Sequence, residues 1–399
     1  MKVKSLKSLN GEFLKGKKII VRVDFNVPLN EKLEITNDVR IKRALPTIEF
    51  LINCKAKIIL MSHLGRPKGQ KIKKLTLEPV AERLGQLLGK TVRKLGDCIG
   101  SEVEKEIIKM QDGDVVLLEN LRFYSEEEKN DPVFSRKLAS LAEIYVDDAF
   151  GTAHRAHAST VGVARILPSF AGFLMEKEIE VLSKLLKNPE KPFVVILGGA
   201  KVSGKIEVMQ NLISIADSIL ISGGMGFTLL KAKGYNVGKS ILEEYDLDIA
   251  RKMLEKAEEK GTRIFLPLDL IVVKNVSTDA ECKTVKIENI PEDTTGVDIG
   301  EETISVFKNE LRKAKTIFWN GPVGIFEIDK FAKGTNQIAR SLADMEGKAV
   351  TIVGGGDSIT ALEKAGLASS ITYLSTGGGA SLKFLGGSKL PGIEVLLEQ

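Results

Sequence analysis

Residues 193–206 read FVVILGGAKVSGKI. The apolar run FVVIL is rich in β-branched side chains and predicts a buried parallel strand, and the glycines that follow predict a turn into a helix. The turn nearly matches the P-loop template, GxxxxGK followed by Ser or Thr, through Gly199, Gly204 and Lys205. Ile206, however, stands where a P-loop has the hydroxyl that binds magnesium. The stretch therefore predicts a strand, a turn and a helix, with a phosphate site that differs from a P-loop.

The same alternation of strand and helix recurs along the chain. Apolar runs predict four strands in the first half and six in the second, and segments of helical periodicity lie between them. Such alternation is typical of parallel sheets covered by helices. We therefore predict an α/β protein of two doubly wound, Rossmann-like parallel-sheet domains with a cleft between them. The predicted strands are 18–23, 57–61, 115–118, 144–146, 193–197, 218–221, 263–266, 316–319, 349–353 and 371–374.

The domain boundary is predicted from a single helix. A chain of 399 residues is too long for one ordinary core. A stripe of apolar side chains at helical spacing runs through residues 171–188, and the prolines that follow end it. We predict an N-terminal domain over 1–170, a linking helix over 171–188 and a C-terminal domain over 189–385.

The composition excludes several classes of protein. The 58 basic side chains exceed the 53 acidic ones by too little to predict nucleic-acid binding. The sequence has neither a signal peptide nor an apolar segment long enough to cross a membrane, so we expect a cytoplasmic protein that does not bind membranes. The three cysteines lack Cys-x-x-Cys spacing, and we expect them to be buried free thiols.

The predicted strand ends of the first half carry cationic and polar side chains. In open parallel sheets, ligands bind beyond the carboxyl ends of the strands. An isolated arginine would be explained as an ion-paired surface residue, but guanidinium groups converging on one sheet edge predict a pocket for a small, multiply charged anion. The residues at this edge are Asp24, Asn26, Arg40, His63, Arg66, Arg122 and Arg155.

The strand ends of the second half are rich in glycine, which lets the backbone approach a ligand closely and predicts a nucleotide site. The dinucleotide fingerprint GxGxxG fails at Leu229, which argues against a dehydrogenase. Asp357 follows three glycines and is a candidate either for a magnesium ligand or for a helix N-cap. Glu327 could accept from a ribose hydroxyl, and Lys201 and Lys205 could bind a phosphate that moves.

Eight sequence blocks occur in the order found in one enzyme family. They are RVDFNVP, SHLGRP, LENLRF, DAFGTAHRAH, GGAKVSGK, WNGPVGIFE, VGGGDS and STGGGAS. From about residue 14 to its end the chain therefore resembles phosphoglycerate kinase. The resemblance implies reversible phosphoryl transfer between ATP and 3-phosphoglycerate, which gives ADP and 1,3-bisphosphoglycerate in glycolysis. Such an acceptor is a carboxylate, which needs no general base.

The resemblance also assigns roles to individual residues. It implies that the seven residues of the anion pocket hold 3-phosphoglycerate. It implies that the metal ligand of Mg-ATP is Asp357, and that the moving phosphoryl group is stabilised by Arg40, Lys201, Lys205 and the helix start at Gly377, Gly378 and Gly379. The residues implied to hold the nucleotide are Lys201, Lys205, Gly300, Asn320, Glu327, Gly354, Gly355, Gly356, Asp357 and Ser358.

Further expectations follow from the same resemblance. The tail, residues 386–399, is expected to pack on the N-terminal domain, and closure of the two domains is expected to exclude water. We expect a monomer. Gly204 stands where the family usually has an acidic residue, so Gly204→Asp is expected to raise kcat or helix stability. The rival hypotheses are a non-catalytic nucleotide-binding or phosphometabolite-binding protein of the same fold and a P-loop hydrolase, and Ile206 opposes the second.

Overall fold

The computed structural model describes residues 2–199 and 203–398, and these residues form two compact units. The first unit comprises residues up to Ser183 together with the C-terminal segment from Lys389 onward, and the second comprises Lys184–Ser388. Helix α7, Phe173–Lys187, contains the boundary between them.

The first unit contains a sheet of six parallel strands in the order β3-β4-β2-β1-β5-β6. Its central strand β1 pairs with β2 on one side and with β5 on the other. The strands are β1 Lys18–Val23, β2 Lys57–Met61, β3 Val92–Lys94, β4 Val115–Leu117, β5 Ile144–Asp148 and β6 Ser169–Ala171. The helices are α1 Gly11–Leu14, α2 Val39–Asn53, α3 Glu78–Leu88, α4 Ser101–Ile108, α5 Ser125–Glu128, α6 Pro132–Ala139 and α7.

The second unit contains a second six-stranded parallel sheet, in the order β15-β14-β13-β7-β8-β9, and a small antiparallel sheet, β11-β10-β12. The strands are β7 Phe193–Leu197, β8 Ser218–Ile221, β9 Arg263–Phe265, β10 Asp269–Val273, β11 Lys283–Lys286, β12 Thr295–Ile299, β13 Thr316–Asn320, β14 Val350–Gly354 and β15 Tyr373–Ser375. The helices are α8 Ile206–Leu212, α9 Gly223–Ala232, α10 Leu247–Lys260, α11 Glu301–Leu311, α12 Lys333–Ala343, α13 Gly356–Lys364 and α14 Gly379–Leu385.

The prediction of two parallel α/β sheets is confirmed. Strands β1, β2, β7 and β8 have the predicted bounds, because most of their side chains are apolar and both faces are covered. The antiparallel sheet and the short strands β3 and β6 were not predicted. Strand β11, with the sequence KTVK, lies at a sheet edge and is mostly exposed, so it lacks the apolar run on which the prediction depended.

The C-terminal segment lies on the first unit. Helix α15, Pro391–Glu394, approaches the loop after β5, where Gly392 N donates to Ala153 O at 2.9 Å. Lys4 N donates to Leu396 O, also at 2.9 Å, and Val3 forms an antiparallel bridge with Leu397. The two ends of the chain therefore pair with each other on this unit.

The expectation of buried cysteines is wrong for two of the three. Cys98 is buried, Cys54 is half-buried, and Cys282 is exposed. Cys282 lies in the connection between β10 and β11, directly before β11. No helix among the residues that the structure describes is long and apolar enough to span a membrane.

Candidate active site

The carboxyl edge of the first sheet brings several of the predicted polar side chains together. Arg22 on β1 is in register with Met61 on β2 and with Asp147 on β5, so the turns after these strands begin at the same level. Asp24 and His63 follow β1 and β2, and Asp24 Oδ1 lies 3.9 Å from His63 Nδ1.

Two hydrogen bonds tie the turn after β1 to its neighbours. Arg40, in the first turn of α2, donates from Nη1 to Asp24 Oδ2 at 2.5 Å. Gly65 N donates to Asn26 Oδ1 at 2.8 Å. A position near a helix N-terminus is unfavourable for a cation. The ion pair with Asp24 offsets this unfavourable interaction for Arg40.

Arg122 is oriented toward the same edge by the turn that follows β4. Asn120 Oδ1 accepts from Arg122 N at 3.1 Å, and Arg122 Nη1 donates to Gly65 O at 2.8 Å. Nη2 is buried and has no hydrogen-bond partner within residues 2–199 and 203–398. Burial lowers the pKa of Arg122 to about 10. The guanidinium is therefore held in place by Nη1, and the N–H groups of Nη2 are left for an anion.

His63 shows that the arginines converge. Burial lowers the pKa of its imidazole well below the ordinary value, and the positive charges of Arg22, Arg122, Arg40 and Arg155 lower it further. Arg22 Nη2 lies 3.2 Å from His63 Nδ1, and the other three arginines are close enough for their charges to act on the same buried ring. His63 is therefore neutral, and a ligand beside this ring would be bound chiefly by the arginines.

A second set of predicted residues meets at the carboxyl edge of the sheet in the second unit. Asn320, at the end of β13, is in register with Leu197 on β7 and with Gly354 on β14. Lys205 Nζ donates to Gly198 O at 2.5 Å and to Asn320 O at 3.1 Å. The lysine therefore spans the ends of two adjacent strands.

Lys205 and Asp357 interact electrostatically. Burial lowers the pKa of Lys205 to about 8, and the negative charge of Asp357 acts in the opposite direction. Asp357 is exposed in the first turn of α13, whose N-cap residue is Gly355. The alternative that Asp357 is the N-cap residue is therefore wrong. Gly355 takes that position with a φ of +93°, a backbone conformation that favours glycine.

The turn after β13 carries an unpaired amide. Asn320 Nδ2 is buried, and in the described part of the chain it has no hydrogen-bond partner. A Cβ atom at Gly355 would lie 3.1 Å from this nitrogen, so glycine leaves room for it. Ser358 is fully buried, and its Oγ accepts from Gly321 N at 2.7 Å. Ser358 therefore fixes the turn, whereas Asn320 has an amide donor left for a ligand.

The remaining predicted residues lie around this edge. Gly300 is the N-cap residue of α11. A Cβ atom there would lie 2.2 Å from Asp269 Oδ2, so close packing against this carboxylate also requires glycine. Glu327 is exposed in the loop after β13. Gly377 and Gly378 lie between β15 and α14. Strand β15 pairs with β14, so these glycines follow a neighbour of the strand that ends at Gly354. Lys201 lies outside the described residues.

Comparisons with known proteins identify the family. The model of the family described as phosphoglycerate kinase matches residues 9–388. Phosphoglycerate kinase of Dictyoglomus turgidum is 57% identical over 399 residues, with both chains fully covered. The structure of phosphoglycerate kinase from Coxiella burnetii is 40% identical with a TM-score of 0.86, and it covers 99% of each chain. That from Pyrococcus horikoshii is 34% identical with the same TM-score, and it covers 98% of each chain.

The chain belongs to the phosphoglycerate kinase family.

Membership of the phosphoglycerate kinase family decides between the hypotheses drawn from the sequence. The chain is an enzyme, a phosphotransferase with phosphoglycerate kinase activity. The match extends over full-length relatives that carry the same name, so a non-catalytic binding protein of this fold is not favoured. The expected resemblance is confirmed.

Sequence reasoning missed three buried polar residues of this chain. Arg22, Glu127 and Ser159 are all fully buried and connected to each other. Arg22 could have been noticed, because an arginine inside an apolar strand requires a partner. Glu127 and Ser159 lie in a polar helix and in a π-helical turn, Ala158–Gly162, and only the tertiary structure brings them to Arg22.

Proposed function

We propose that the chain transfers the γ-phosphoryl group of ATP to the carboxylate of 3-phosphoglycerate, and that it also catalyses the reverse reaction. A carboxylate oxygen forms a bond to the γ-phosphorus, and the bond from that phosphorus to the bridging oxygen of ADP breaks. The products are ADP and 1,3-bisphosphoglycerate. A proton need not be removed from the acceptor, which fits an anion pocket of arginines around a neutral His63.

The observation that carries this proposal is that Arg40, held by Asp24, and Arg122, held by the carbonyl of Gly65, lie at the carboxyl edge of the first sheet. The charges of both act on the buried ring of His63. Arginine binds phosphate and carboxylate groups through pairs of hydrogen bonds, and 3-phosphoglycerate has one of each. Arg122 has a buried donor without a partner in residues 2–199 and 203–398. Asp24 would accept from the hydroxyl of the substrate while it orients Arg40. Asn26, Arg66 and Arg155 complete the proposed phosphoglycerate site.

The nucleotide would bind at the glycine-rich edge of the second unit. Asn320 supplies a buried amide donor, and Lys205 supplies an ammonium held between two strand ends. Phosphate oxygens are suitable partners for both groups. The other nucleotide-binding residues in this proposal are Gly300, Glu327, Gly354, Gly355, Gly356, Asp357 and Ser358, with Ser358 acting through the turn that it fixes.

Catalysis would depend on positioning and on charge. The transferring phosphoryl group carries negative charge on its outer oxygens, which fixed cations stabilise. We assign this role to Arg40 from the first unit and to Lys205 from the second, with Lys201, Gly377 and Gly378. Since the two sets of residues belong to separate units, transfer requires the units to close so that the ligands meet and water is excluded.

Magnesium is the proposed metal ion, bound together with ATP or ADP. Mg²⁺ binds one or two carboxylates together with phosphate oxygens and water. The exposed carboxylate of Asp357, in the first turn of α13 beside Lys205, fits that requirement. When bound, the ion would neutralise charge on the nucleotide phosphates. We also propose a cytoplasmic monomer that works without nucleic acid or membranes; light scattering on the purified protein would test the oligomeric state.

A direct assay tests the proposal. ATP consumption is measured with and without 3-phosphoglycerate, and formation of 1,3-bisphosphoglycerate is followed by its reduction in a coupled reaction. We expect turnover only when both substrates are present. Turnover that ignores 3-phosphoglycerate would contradict the proposed acceptor. Arg122→Lys, which keeps the charge but loses the forked donors, is expected to raise KM for 3-phosphoglycerate about tenfold or more and to leave KM for ATP unchanged.

A further inference from the structure

Arg22 lies behind the proposed phosphoglycerate site and is fully buried in the central strand β1. Its Nε donates to Ser159 Oγ at 2.9 Å, and its Nη1 donates to the carbonyl of Val23. Its Nη2 lies 3.2 Å from His63 Nδ1. Each of the three guanidinium nitrogens therefore has a partner, and one of these partners is the histidine at the centre of the anion pocket.

The contact between Arg22 and His63 fixes the position of a proton. An arginine side chain only donates hydrogen bonds and keeps its charge in proteins. His63 Nδ1 must therefore accept, which requires a lone pair on that nitrogen. In a neutral imidazole the proton is then on Nε2, on the side of the ring away from Arg22.

The charge of Arg22 is balanced at its other end by Glu127, which is also fully buried. Glu127 accepts from Ser159 N at 3.0 Å and from Ser159 Oγ at 2.6 Å. Burial raises the pKa of Glu127, but His157, the charge of Arg22 and Ser159 together lower it below its ordinary value. A buried carboxylate, a hydroxyl and a guanidinium thus form a chain that ends at His63.

The positively charged groups near His63 keep its ring neutral. Asp24 Oδ1, from the loop after β1, lies 3.9 Å from Nδ1, which is beyond hydrogen-bonding distance. The positive charges that face the ring come from Arg22 on β1, Arg40 on α2, Arg122 in the turn after β4 and Arg155 after β5, and all of them oppose protonation.

We propose that Arg22 is a positioning residue for phosphoryl transfer: it holds His63 in the neutral form with the proton on Nε2, so that the ring always presents a donor to the anionic substrate. A histidine without this contact would exchange its proton between the two nitrogens and would present an acceptor, which repels an anion, for part of the time. The inference rests on the proposed phosphoglycerate site, whereas the tautomer itself is a property of the ligand-free protein.

Nitrogen NMR of the ligand-free enzyme tests the tautomer independently of activity. The chain has three histidines, so long-range ¹H–¹⁵N spectra of ¹⁵N-histidine-labelled protein are simple, and the His63 signal is assigned by its loss in His63→Gln. We expect the Nε2–H pattern, unchanged between pH 5 and 8, where an ordinary histidine titrates. An Nδ1–H pattern, or protonation within that range, would overturn the proposal even if the enzyme is fully active.

Variants then test the part played by Arg22. Arg22→Met removes both the charge and the donor, and we expect a mixture of tautomers and a His63 pKa closer to the ordinary range. Arg22→Lys keeps a donor and is expected to retain the Nε2–H form. The matched control is Tyr145→Phe, which removes the hydrogen bond from Tyr145 to Ser159 O at 2.9 Å without a change at His63. An unchanged His63 signal in Arg22→Met would contradict the inference.

Binding of 3-phosphoglycerate shows whether the tautomer matters for the substrate. Its phosphate also titrates, so the wild-type pH dependence of Kd is the reference. In Arg22→Met we expect Kd to change between pH 5 and 8 by at least threefold more than it does in the wild type. In the double variant, Arg22→Met with His63→Gln, we expect this extra change in Kd to disappear. An added pH dependence that persists in the double variant would show that Arg22 acts by another route. If Arg22→Met fails to fold, the wild-type and Arg22→Lys spectra still decide the tautomer.

Discussion

The ammonium of Lys205 is hydrogen-bonded to the main-chain carbonyl of Asn320, whose own side-chain amide is buried beside the glycine turn at Gly355. Two donors of different kinds are thus fixed at the end of one strand, the first charged and the second neutral. The ammonium is held by main-chain carbonyl groups of Gly198 and Asn320, whereas the amide nitrogen has no hydrogen-bond partner among the described residues. This arrangement explains how a half-buried lysine is tolerated here: its charge is solvated by carbonyl groups until a phosphate replaces them.

The first prediction concerns the pH dependence of nucleotide binding. Burial lowers the pKa of Lys205 to about 8, and its charged form is present below that value. The affinity of the free enzyme for ADP is therefore expected to fall as the pH rises through about 8. Because the charge of Asp357 opposes the lowering, Asp357→Asn is expected to move the fall to lower pH. Calorimetric titration with ADP at constant free magnesium measures both effects.

A variant that cannot titrate is the control for this prediction. Lys205→Arg keeps a positive charge throughout the range, so its affinity, although lower because the larger side chain fits less well, is expected to be constant between pH 7 and 9. A fall through about pH 8 in Lys205→Arg would assign the titration to another group.

The second prediction concerns Gly204, which precedes helix α8. A Cβ atom at this position would meet nothing within 4 Å among the residues described, and the backbone lies outside the left-handed region, so a side chain is accommodated. An aspartate there adds a negative charge near a helix N-terminus and removes a flexible glycine, which together stabilise by about 1 kcal/mol. Gly204→Asp is therefore expected to raise the urea midpoint or kcat.

Gly204→Asn separates the contributions of charge and backbone in this prediction. The asparagine reduces the flexibility of the unfolded chain as the aspartate does, but it lacks the negative charge. If the two variants are equally stable, the charge contributes little. A melting temperature and kcat for Gly204→Asp that equal the wild-type values would contradict the expectation.

The sequence predicted the two parallel sheets well, because buried strands such as FVVIL are apolar on both faces. It also placed Asp24, Arg40 and Arg122 at one sheet edge, where the structure brings them together around His63. What it could not show is which polar groups are buried. Nothing in the sequence distinguishes Glu127, which is fully buried, from its exposed neighbour Glu126.

The antiparallel sheet was missed for a related physical reason. Its strands are covered unevenly, and β11 consists mostly of exposed polar residues whose strand conformation depends on pairing with β10. Such pairing is long-range and leaves only a weak local pattern. The hydroxyl of Ser358 accepts from Gly321 N, a contact that spacing along the chain cannot indicate.

The third prediction concerns Asn320. Because its Nδ2 is buried without a partner among the described residues, its removal costs the ligand-free protein little but costs the nucleotide complex a hydrogen bond. Asn320→Ala is expected to weaken ADP binding by about 1–3 kcal/mol, or roughly 5- to 150-fold, and to change KM for 3-phosphoglycerate little. Ser358→Ala, which removes a buried partner of Gly321 N, is the comparison and is expected to lower stability as well as affinity. Equal ADP affinity in Asn320→Ala and the wild type would contradict the role of the amide.

The fourth prediction concerns a buried carboxyl group on β5. Burial raises the pKa of Asp147 to about 7, and its Oδ2 is buried without a hydrogen-bond partner in the part of the chain that the structure describes. In the unfolded chain the same group has its ordinary pKa of 3.8. The folded state thus binds the proton more tightly, so its stability is full below about pH 4 and falls as the pH rises to about 7.

Asp147→Asn removes this titration and keeps an oxygen that accepts from Ala149 N, as Oδ1 does at 3.0 Å. We expect the variant to match the wild type near pH 4 and to be more stable at pH 8 by about 4 kcal/mol, a rough figure from the rise in pKa from 3.8 to about 7. The matched control is Asp298→Asn. Burial raises the pKa of Asp298 to about 7 too, but both of its oxygens accept hydrogen bonds, from Ile299 N and from Gly334 N in the first turn of α12. Asp298→Asn loses one of these acceptors and is expected to be less stable at pH 8. Urea denaturation at pH 4 and pH 8 measures the difference, and a loss of stability at pH 8 in Asp147→Asn would show that the ionised carboxylate is stabilised by Arg22.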